Sequence, residues 1–285
     1  MKGIDSRALL RDAGLRPKKS FGQNFLVAEH VTRAIAAACV ADAEVGRARV
    51  VELGAGVGAL TVLLVERAAH VVAIERDREL VPVLRAALGD AVASGRLEIV
   101  EGDAQTADFE SPLGLADAPR VLCGNLPYQI TGRLLQRAVE NARHIDRAVF
   151  MVQAEVADRL LASPGTKDYG GLTIFVRAAF DVDRVMSVSR GCFHPPPDVT
   201  SAVVRLTALR PPRAEETPTF RALVRRAFEA RRKTLRNAWS GIAASSEALA
   251  DAARTSDVSL DARGETLAVD AYARMAAAID AQKLG

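Results

Sequence analysis

Four consecutive residues combine a side-chain amide, a rigid turn and an aromatic ring: Asn125, Leu126, Pro127 and Tyr128. The apolar run before them, 121–123, predicts a buried strand that ends at this point. The amino group of adenine is a weak nucleophile because its lone pair is delocalised into the ring. If the Asn125 oxygen and a nearby carbonyl accepted the hydrogens of this amine, they would localise its lone pair on the nitrogen. Pro127 would stiffen the turn, and the Tyr128 ring would offer a face on which the base can stack. The tetrapeptide thus predicts alkylation of a base amine, although an ordinary proline turn beside a buried aromatic ring also fits.

A glycine-rich turn at 54–58 follows another short apolar strand. Glycine lets the backbone turn tightly and approach a ligand closely. The spacing of Gly54, Gly56 and Ala59, with Glu75 further along, also fits the fingerprint of dinucleotide-binding proteins. The turn alone therefore favours neither a nicotinamide dinucleotide nor S-adenosylmethionine.

Three acidic residues at the ends of successive predicted strands separate these two cofactors. Glu52 precedes the glycines, where it would repel a pyrophosphate but attract a sulfonium or amino group. Glu75 ends the second strand and could accept from ribose hydroxyls, and Asp103 follows the third and could accept from an adenine amine. Open α/β sheets bind ligands at this edge, so the three acids together favour S-adenosylmethionine.

The hydrophobic pattern from about residue 29 alternates between strands and helices, which is typical of an α/β fold with a mainly parallel sheet. The predicted strands are 50–53, 70–74, 97–100, 121–123, 148–152, 172–179, 184–188 and 201–206. After Pro211 and Pro212 every periodic segment is helical: 219–230, 232–240, 246–253 and 269–279. We predict a basic N-terminal segment and cofactor lid at 1–28, a catalytic domain at 29–211 and a small helical domain at 212–285.

The overall composition excludes several classes of protein. The chain has 285 residues, 49% of them hydrophobic, which provides a substantial core and excludes global disorder. Its three cysteines are far apart in sequence, which argues against a disulfide framework or a structural zinc site. No apolar stretch is long enough to cross a bilayer, so we expect a cytoplasmic protein without membrane or metal partners.

A basic stretch at 221–236 holds seven arginines and lysines against one acid, Glu229. If it is helical, Arg221, Arg225, Arg232 and Arg236 fall near one face suited to phosphates. A solvated helix surface is the alternative, but such surfaces usually carry interleaved acids. The expected RNA-binding residues are Lys18, Lys19, Arg221, Arg225, Arg231, Arg232, Lys233 and Arg236.

A second aromatic candidate, Phe193, precedes a run of three prolines at 195–197. Because prolines stiffen the loop, we expect this ring to be a second stacking face opposite Tyr128. An ordinary core phenylalanine fits the position equally well.

Nearly the whole chain resembles the rRNA adenine N6,N6-dimethyltransferases, most closely the branch that modifies the small ribosomal subunit. The segments that carry the resemblance are 21–26, 52–56, 75, 102–104, 125–128, 153–157, 193–199, 201–204 and 231–237. It implies a Rossmann-like class I S-adenosylmethionine-dependent methyltransferase with a seven-stranded, mainly parallel sheet and a small helical C-terminal domain. It also implies a monomer that dimethylates two adjacent adenosines near the 3′ end of 16S rRNA.

The resemblance also assigns roles to residues. It implies a cofactor site formed by Gln23, Asn24, Leu26, Glu52, Gly54, Gly56, Glu75, Asp103, Ala104 and Asn125. Mild departures from the family pattern stand at Ala28, Ala55 and Gln129. A resistance-type methylase of 23S rRNA, an adenine methylase of DNA and an assembly factor that mainly binds remain alternatives, with a nicotinamide-dependent oxidoreductase more remote. The basic run 231–235 favours the small-subunit enzyme.

Overall fold

The computed structural model describes residues 4–114 and 118–283, which contain nine strands and thirteen α-helices. The strands are β1 (Phe25–Leu26), β2 (Arg49–Leu53), β3 (His70–Glu75), β4 (Leu97–Glu101), β5 (Arg120–Asn125), β6 (Arg147–Gln153), β7 (Phe180–Val188), β8 (Phe193–His194) and β9 (Ser201–Ala208). The helices are α1 (Ser6–Asp12), α2 (Glu29–Cys39), α3 (Thr61–Arg67), α4 (Leu80–Ala87), α5 (Gly89–Ala93), α6 (Glu110–Leu113), α7 (Thr131–Glu140), α8 (Ala154–Leu161), α9 (Gly171–Ala179), α10 (Pro218–Glu229), α11 (Leu235–Ala238), α12 (Ser246–Thr255) and α13 (Val269–Gln282).

Seven strands form one sheet in the order β4-β3-β2-β5-β6-β9-β7. The pairs β2–β3, β3–β4, β2–β5 and β5–β6 are parallel, whereas β9 runs antiparallel to β6. The central strands are buried almost end to end, as expected for a parallel sheet covered on both faces. The predicted α/β class with a mainly parallel seven-stranded sheet is confirmed.

Strands β2 and β5 approach unusually closely where they end. A Cβ atom placed on Gly124 would lie 2.4 Å from the Leu53 carbonyl oxygen, so only glycine fits there. The close contact brings the end of β5, Asn125, beside the glycine-rich turn that follows β2.

The described residues divide into two compact units. The first comprises 1–157 and 182–208, and the second comprises 158–181 and 209–285, less the few residues outside the described ranges. The longer segment of the second unit, 209–285, begins close to the predicted boundary at 212. The shorter segment, 158–181, belongs to the same unit but falls within the predicted catalytic domain. Residues 1–3, at the start of the predicted N-terminal segment, lie outside the description.

The second unit is helical around its own core, in which Tyr169, Trp239 and Tyr272 are fully buried. The polar atom of each ring donates to a backbone carbonyl at 2.9–3.0 Å, which satisfies it within the core. The strand predicted at 172–179 is wrong, because helix α9 occupies this segment. A short run of apolar and β-branched residues fits either structure, and here packing of Ile174 and Ala178 into the helical core decides.

Candidate active site

A cavity in the first unit opens at the carboxyl ends of β2, β3 and β5. Segment 20–26 contributes a further wall. The cavity brings together most of the site residues predicted from sequence: Gln23, Asn24, Leu26, Glu52, Gly54, Gly56, Glu75, Asp103, Ala104, Asn125, Leu126, Pro127 and Tyr128. Their convergence at one edge of the sheet follows from the parallel topology.

The glycine-rich turn follows β2 in a conformation that needs glycine. Gly54 and Gly56 have φ angles of +74° and +59°, in the left-handed region that disfavours other residues. The N–H groups of Gly54 and Ala55 both donate to the Ile74 carbonyl, at 2.9 and 3.2 Å. The turn is therefore fixed to the end of β3, beside the carboxylate that follows.

Glu75 ends β3 and is held by backbone donors. Its two carboxylate oxygens accept from the N–H groups of Gly56 and Asp77, both at 2.7 Å. Burial raises the pKa of Glu75, although these hydrogen bonds oppose the rise. The carboxylate thus has a fixed orientation at the cavity wall, as a group that binds two neighbouring hydroxyls requires.

Glu52 is the most unusual polar group of the cavity. It is 2% exposed, and its Oε2 atom has no hydrogen-bond partner within the described residues. Burial raises the pKa of Glu52 to about 8, and the negative charge of Glu75 adds to the shift. Since a buried carboxyl oxygen without a partner is costly, Oε2 of this residue is suited to a positively charged or hydrogen-donating ligand group.

Asp103 stands at the third strand end and is more accessible than the two glutamates. Its carboxylate accepts from the Gln105 N–H at 2.9 Å and lies 3.5 Å from the Arg76 guanidinium. Ala104 follows it along the cavity wall. Asp103 keeps acceptor capacity for a further donor, such as the amino group of an adenine.

Asn125 is oriented by the segment that covers the cavity. Its Nδ2 donates to the Asn24 carbonyl at 2.8 Å, which assigns the amide and leaves Oδ1 as an acceptor. The Pro127 carbonyl already accepts from the Ile130 N–H and the Thr131 hydroxyl, both at 3.1 Å. The neighbouring backbone acceptor suited to an incoming amine is therefore the Leu126 carbonyl.

Tyr128 follows this turn, and its ring lines the cavity. Its hydroxyl lies 2.7 Å from the hydroxyl of Ser201, a fully buried residue at the start of β9. Burial raises the pKa of Tyr128, so the phenol stays neutral at physiological pH. The sequence analysis included Ser201 in a segment that carries the resemblance, 201–204, but gave it no role at the site, because nothing in the local sequence indicates its contact with Tyr128.

Phe193 requires a correction. Its side chain is 1% exposed, belongs to the core cluster and does not line the cavity. The reason is strand pairing: β8 pairs antiparallel with β1, with Phe193 opposite Leu26. The second stacking face predicted from Phe193 is therefore absent from this structure, and the core alternative holds.

The basic stretch of the second unit also departs from the prediction. Helix α10 ends at Glu229 and α11 starts only at Leu235, so the expected single helix face is wrong. Three of its arginines form ion pairs at 3.0–3.1 Å: Arg221 with Glu216, Arg231 with Glu265 and Arg236 with Asp261. Arg225, Arg232 and Lys233 are exposed and have no side-chain partner within the described residues.

Lys18 and Lys19 lie in the first unit and differ in their surroundings. The Lys18 ammonium lies 2.7 Å from Asp77 and 2.8 Å from Glu79, and these two hydrogen bonds raise the pKa of Lys18. Lys19 is exposed. Of the pair, Lys19 is thus the cation better placed for an external partner.

Residues 4–114 and 118–283 contain no helix long and apolar enough to span a membrane. Within the same ranges there is no group of three or more histidine, cysteine, aspartate or glutamate side chains placed to hold a metal ion.

Comparison with known proteins identifies the family. Residues 14–281 match the model of the family described as ribosomal RNA adenine dimethylase. The chain belongs to this family. The family predicted from the sequence motifs is confirmed.

Two relatives of this dimethylase are both named ribosomal RNA small subunit methyltransferase A. The one from Geobacter metallireducens is 43% identical, over 95% of this chain and 98% of the relative. The one from Myxococcus xanthus is 40% identical, over 96% and 94%.

Two solved structures share the fold of the dimethylase. A dimethyladenosine transferase from Plasmodium falciparum has a TM-score of 0.74 at 24% identity, covering 88% of this chain and 95% of the other. The 23S rRNA methyltransferase ErmE has a TM-score of 0.66 at 25% identity, covering 90% and 100%. The predicted class I methyltransferase fold is confirmed.

Proposed function

We propose that this dimethylase transfers methyl groups from S-adenosylmethionine to the N6 atom of adenosines in small-subunit rRNA, giving N6,N6-dimethyladenosine. The observation that carries the proposal is Asn125, held at a strand end beside a cavity walled by three carboxylates. The names of the two relatives support the small subunit as substrate. Following the resemblance, we propose two adjacent adenosines near the 3′ end of 16S rRNA as targets, and a cytoplasmic monomer.

The cavity residues fit S-adenosylmethionine, which when bound would supply an electrophilic methyl group. The fit rests on Glu52, whose unpartnered buried oxygen suits the cationic methionine end, and on the glycine turn, which leaves room for close approach. Glu75 would hold the ribose hydroxyls and Asp103 the adenine amine. Gln23, Asn24 and Leu26 would cover the ligand from the side of segment 20–26.

The groups of the chain that act on the target base are acceptors. Asn125 Oδ1 and the Leu126 carbonyl would accept the two hydrogens of the N6 amine, so that its lone pair points away from the ring plane. This positioning supplies most of the rate enhancement we expect, because it fixes the nucleophile in line with its electrophile. The nitrogen becomes acidic as it is alkylated and releases its proton to water, so no side-chain base is required.

An adenine stacked in RNA cannot reach such a cavity, so the base must be unstacked first. Tyr128 would then support it by stacking, a contact that contributes about 1–3 kcal/mol per base. The hydrogen bond to Ser201 fixes the position of the hydroxyl end of that ring. A second transfer requires that the same pocket admit the monomethylated base.

We expect Ser201→Ala to lower kcat/KM for the RNA about fivefold, since one buried hydrogen bond contributes about 1 kcal/mol. Affinity for S-adenosylmethionine should stay unchanged, because Ser201 does not line the cofactor cavity. Tyr128→Phe removes the same hydrogen bond from the tyrosine side. The double variant Ser201→Ala/Tyr128→Phe should therefore have the same kcat/KM as either single variant. Additive losses in steady-state kinetics would contradict a role through Tyr128.

The proposed activity is tested by methyl transfer from labelled S-adenosylmethionine. Three substrates are compared: unmethylated small ribosomal subunits, 23S rRNA and duplex DNA, with mapping of the modified base. We expect dimethyladenosine only in the small-subunit RNA. Label in 23S rRNA or DNA would move the substrate to those classes, and binding without label would indicate an assembly factor.

The exposed cations of the second unit are proposed to bind RNA phosphates. Arg225, Arg232 and Lys233 form the centre of this surface because no side chain neutralises them within the described residues. Arg221, Arg231 and Arg236 are already paired with acids, so each would have to exchange a partner to bind a phosphate. In the first unit, the exposed Lys19 is proposed as a separate phosphate contact.

We expect Arg232→Glu to weaken RNA binding and to reduce the slope of log K against log salt by about one per lost phosphate contact. Arg254→Glu is the matched control, since this arginine is exposed in the same unit but lies outside the basic stretch. Binding is measured by filter retention over a salt series. Equal slopes for both variants and the unmodified enzyme would place the RNA surface elsewhere.

A further inference from the structure

A network of partly buried polar contacts joins residues 18–23 to the loop that follows β3. Its centre is Asp77, which is 3% exposed. The carboxylate accepts from three donors: Lys18 Nζ at 2.7 Å, Gln23 Nε2 at 2.8 Å and the Glu79 N–H at 3.1 Å. Hydrogen bonds from Lys18 and Gln23 hold the pKa of Asp77 below its usual value despite its burial. The carboxylate is therefore ionised and fully engaged.

Two further hydrogen bonds extend this network. One joins Gln23 back to Lys18, and the other joins Asp77 to Glu75 in the proposed cofactor site. Gln23 Oε1 accepts from the Lys18 N–H at 2.8 Å, so the amide of Gln23 is bound at both ends. The N–H of Asp77 donates to Glu75 Oε1 at 2.7 Å. One buried aspartate thus contacts both segment 18–23 and the carboxylate proposed to hold the ribose.

Segment 18–26, which we call the cavity cover, is held at its far end, residues 24–26, by contacts that do not involve Asp77. There β1 pairs with β8, and the Asn24 carbonyl accepts from Asn125. At the near end, the backbone hydrogen bonds of residues 21–23 run to Lys18 and Lys19, within the segment itself. Side chains therefore attach this near end to the rest of the unit. Lys18 and Gln23 bind Asp77, Lys18 also pairs with Glu79 at 2.8 Å, and the Arg76 guanidinium lies 5.3 Å from the centre of the Phe21 ring. Of these three partners, Asp77 is the one that binds two residues of the segment.

We propose that Asp77 is a positioning residue that latches segment 18–23 over the cofactor cavity and orients Glu75. This inference rests on the proposed function for the identity of the ligand. A carboxylate suits the task because it accepts from several donors at once, whereas an asparagine offers one acceptor oxygen and adds an NH2 group that the Lys18 ammonium, which has no acceptor, cannot bind. Lys18 accordingly serves the cofactor side of the reaction and not the RNA.

The test measures binding of S-adenosylhomocysteine by calorimetry to four forms of the full chain. Asp77→Asn and Lys18→Met should each raise Kd about tenfold, an effect of the size expected when a charge-assisted hydrogen bond is lost. Glu79→Gln is the control, because it removes the other, exposed partner of Lys18 and leaves Asp77 in place. Hydrogen exchange at residues 18–23 should accelerate in the first two variants only, and KM for the cofactor should rise while kcat is retained.

The outcomes separate this inference from the proposed function. Absence of S-adenosylhomocysteine binding by the unmodified enzyme would overturn the function itself. Binding by the unmodified enzyme that is unchanged in both Asp77→Asn and Lys18→Met would overturn the latch alone. If thermal unfolding shows that Asp77→Asn does not fold, Lys18→Met decides. A reduced salt slope of RNA binding in Lys18→Met, with unchanged cofactor affinity, would likewise assign Lys18 to the RNA and overturn the latch.

Discussion

Asn125→Ala is expected to lower the rate of methyl transfer by about a hundredfold or more, the effect seen when a positioned group that stabilises developing charge is removed. The variant loses the Oδ1 acceptor proposed for the target amine and the hydrogen bond to the Asn24 carbonyl. Single-turnover transfer to unmethylated small subunits measures the effect without interference from product release.

RNA binding by Asn125→Ala should be largely retained, because the proposed phosphate contacts are Lys19 and cations of the second unit, none of which is changed. Asn141→Ala is a matched control: this asparagine is also in the first unit, and its Nδ2 donates to the Arg137 carbonyl at the end of α7. Turnover by Asn125→Ala close to that of the control would rule out the proposed role of Asn125.

Glu52→Gln is expected to change stability and cofactor affinity in opposite directions. The pKa of Glu52 is raised in the folded protein from 4.5 to about 8. Its favourable contribution to folding is complete below about pH 4.5 and is lost as pH rises through 8, because ionisation is easier in the unfolded chain. Glutamine does not ionise, so the variant should be more stable than the unmodified protein by about 4 kcal/mol at pH 8 and by about 1 kcal/mol at pH 5.

The same variant should bind S-adenosylmethionine at least about tenfold more weakly, since the buried carboxylate that matches a cationic ligand is gone. Thermal unfolding of the free protein between pH 5 and 8, with calorimetric titration of the cofactor, measures both effects. Glu98→Gln replaces an exposed glutamate of the same sheet and should change neither. Parallel pH profiles for the variant and the unmodified protein would contradict the buried, unpartnered state of Glu52.

The convergence of most of the proposed cofactor-site residues on one cavity was predictable, because it depends on local sequence and on one rule of topology. Glu52, Glu75 and Asp103 each stand at or near the end of a strand that hydrophobic pattern alone locates. Parallel strands bring those ends to one edge, so the side chains must converge. Gly54 and Gly56 were equally recognisable, since the turn requires their backbone conformation.

The remaining features depend on partners that are distant in sequence. Arg231 and Arg236 pair with acids about thirty residues away, which no local pattern indicates. Phe193 turned inward because β8 pairs with β1, far earlier in the chain. Asp77 was missed as a site residue although it carried a signal, because an aspartate two residues beyond a strand and three before a helix is typical of a helix start. Its partners Lys18 and Gln23 are more than fifty residues away in sequence.

The discontinuity of the second unit affects how the gene for this enzyme can evolve. A single recombination event near codon 209 would import new helices but retain the old segment 158–181, whose Tyr169 and Ile174 pack in the same core as residues from 220 onwards. A foreign core is seldom complementary to an inherited segment, because protein interiors are closely packed. Changes in RNA target are therefore expected to arise by point substitution at exposed residues such as Arg225 and Arg232, and only rarely by exchange of the whole unit.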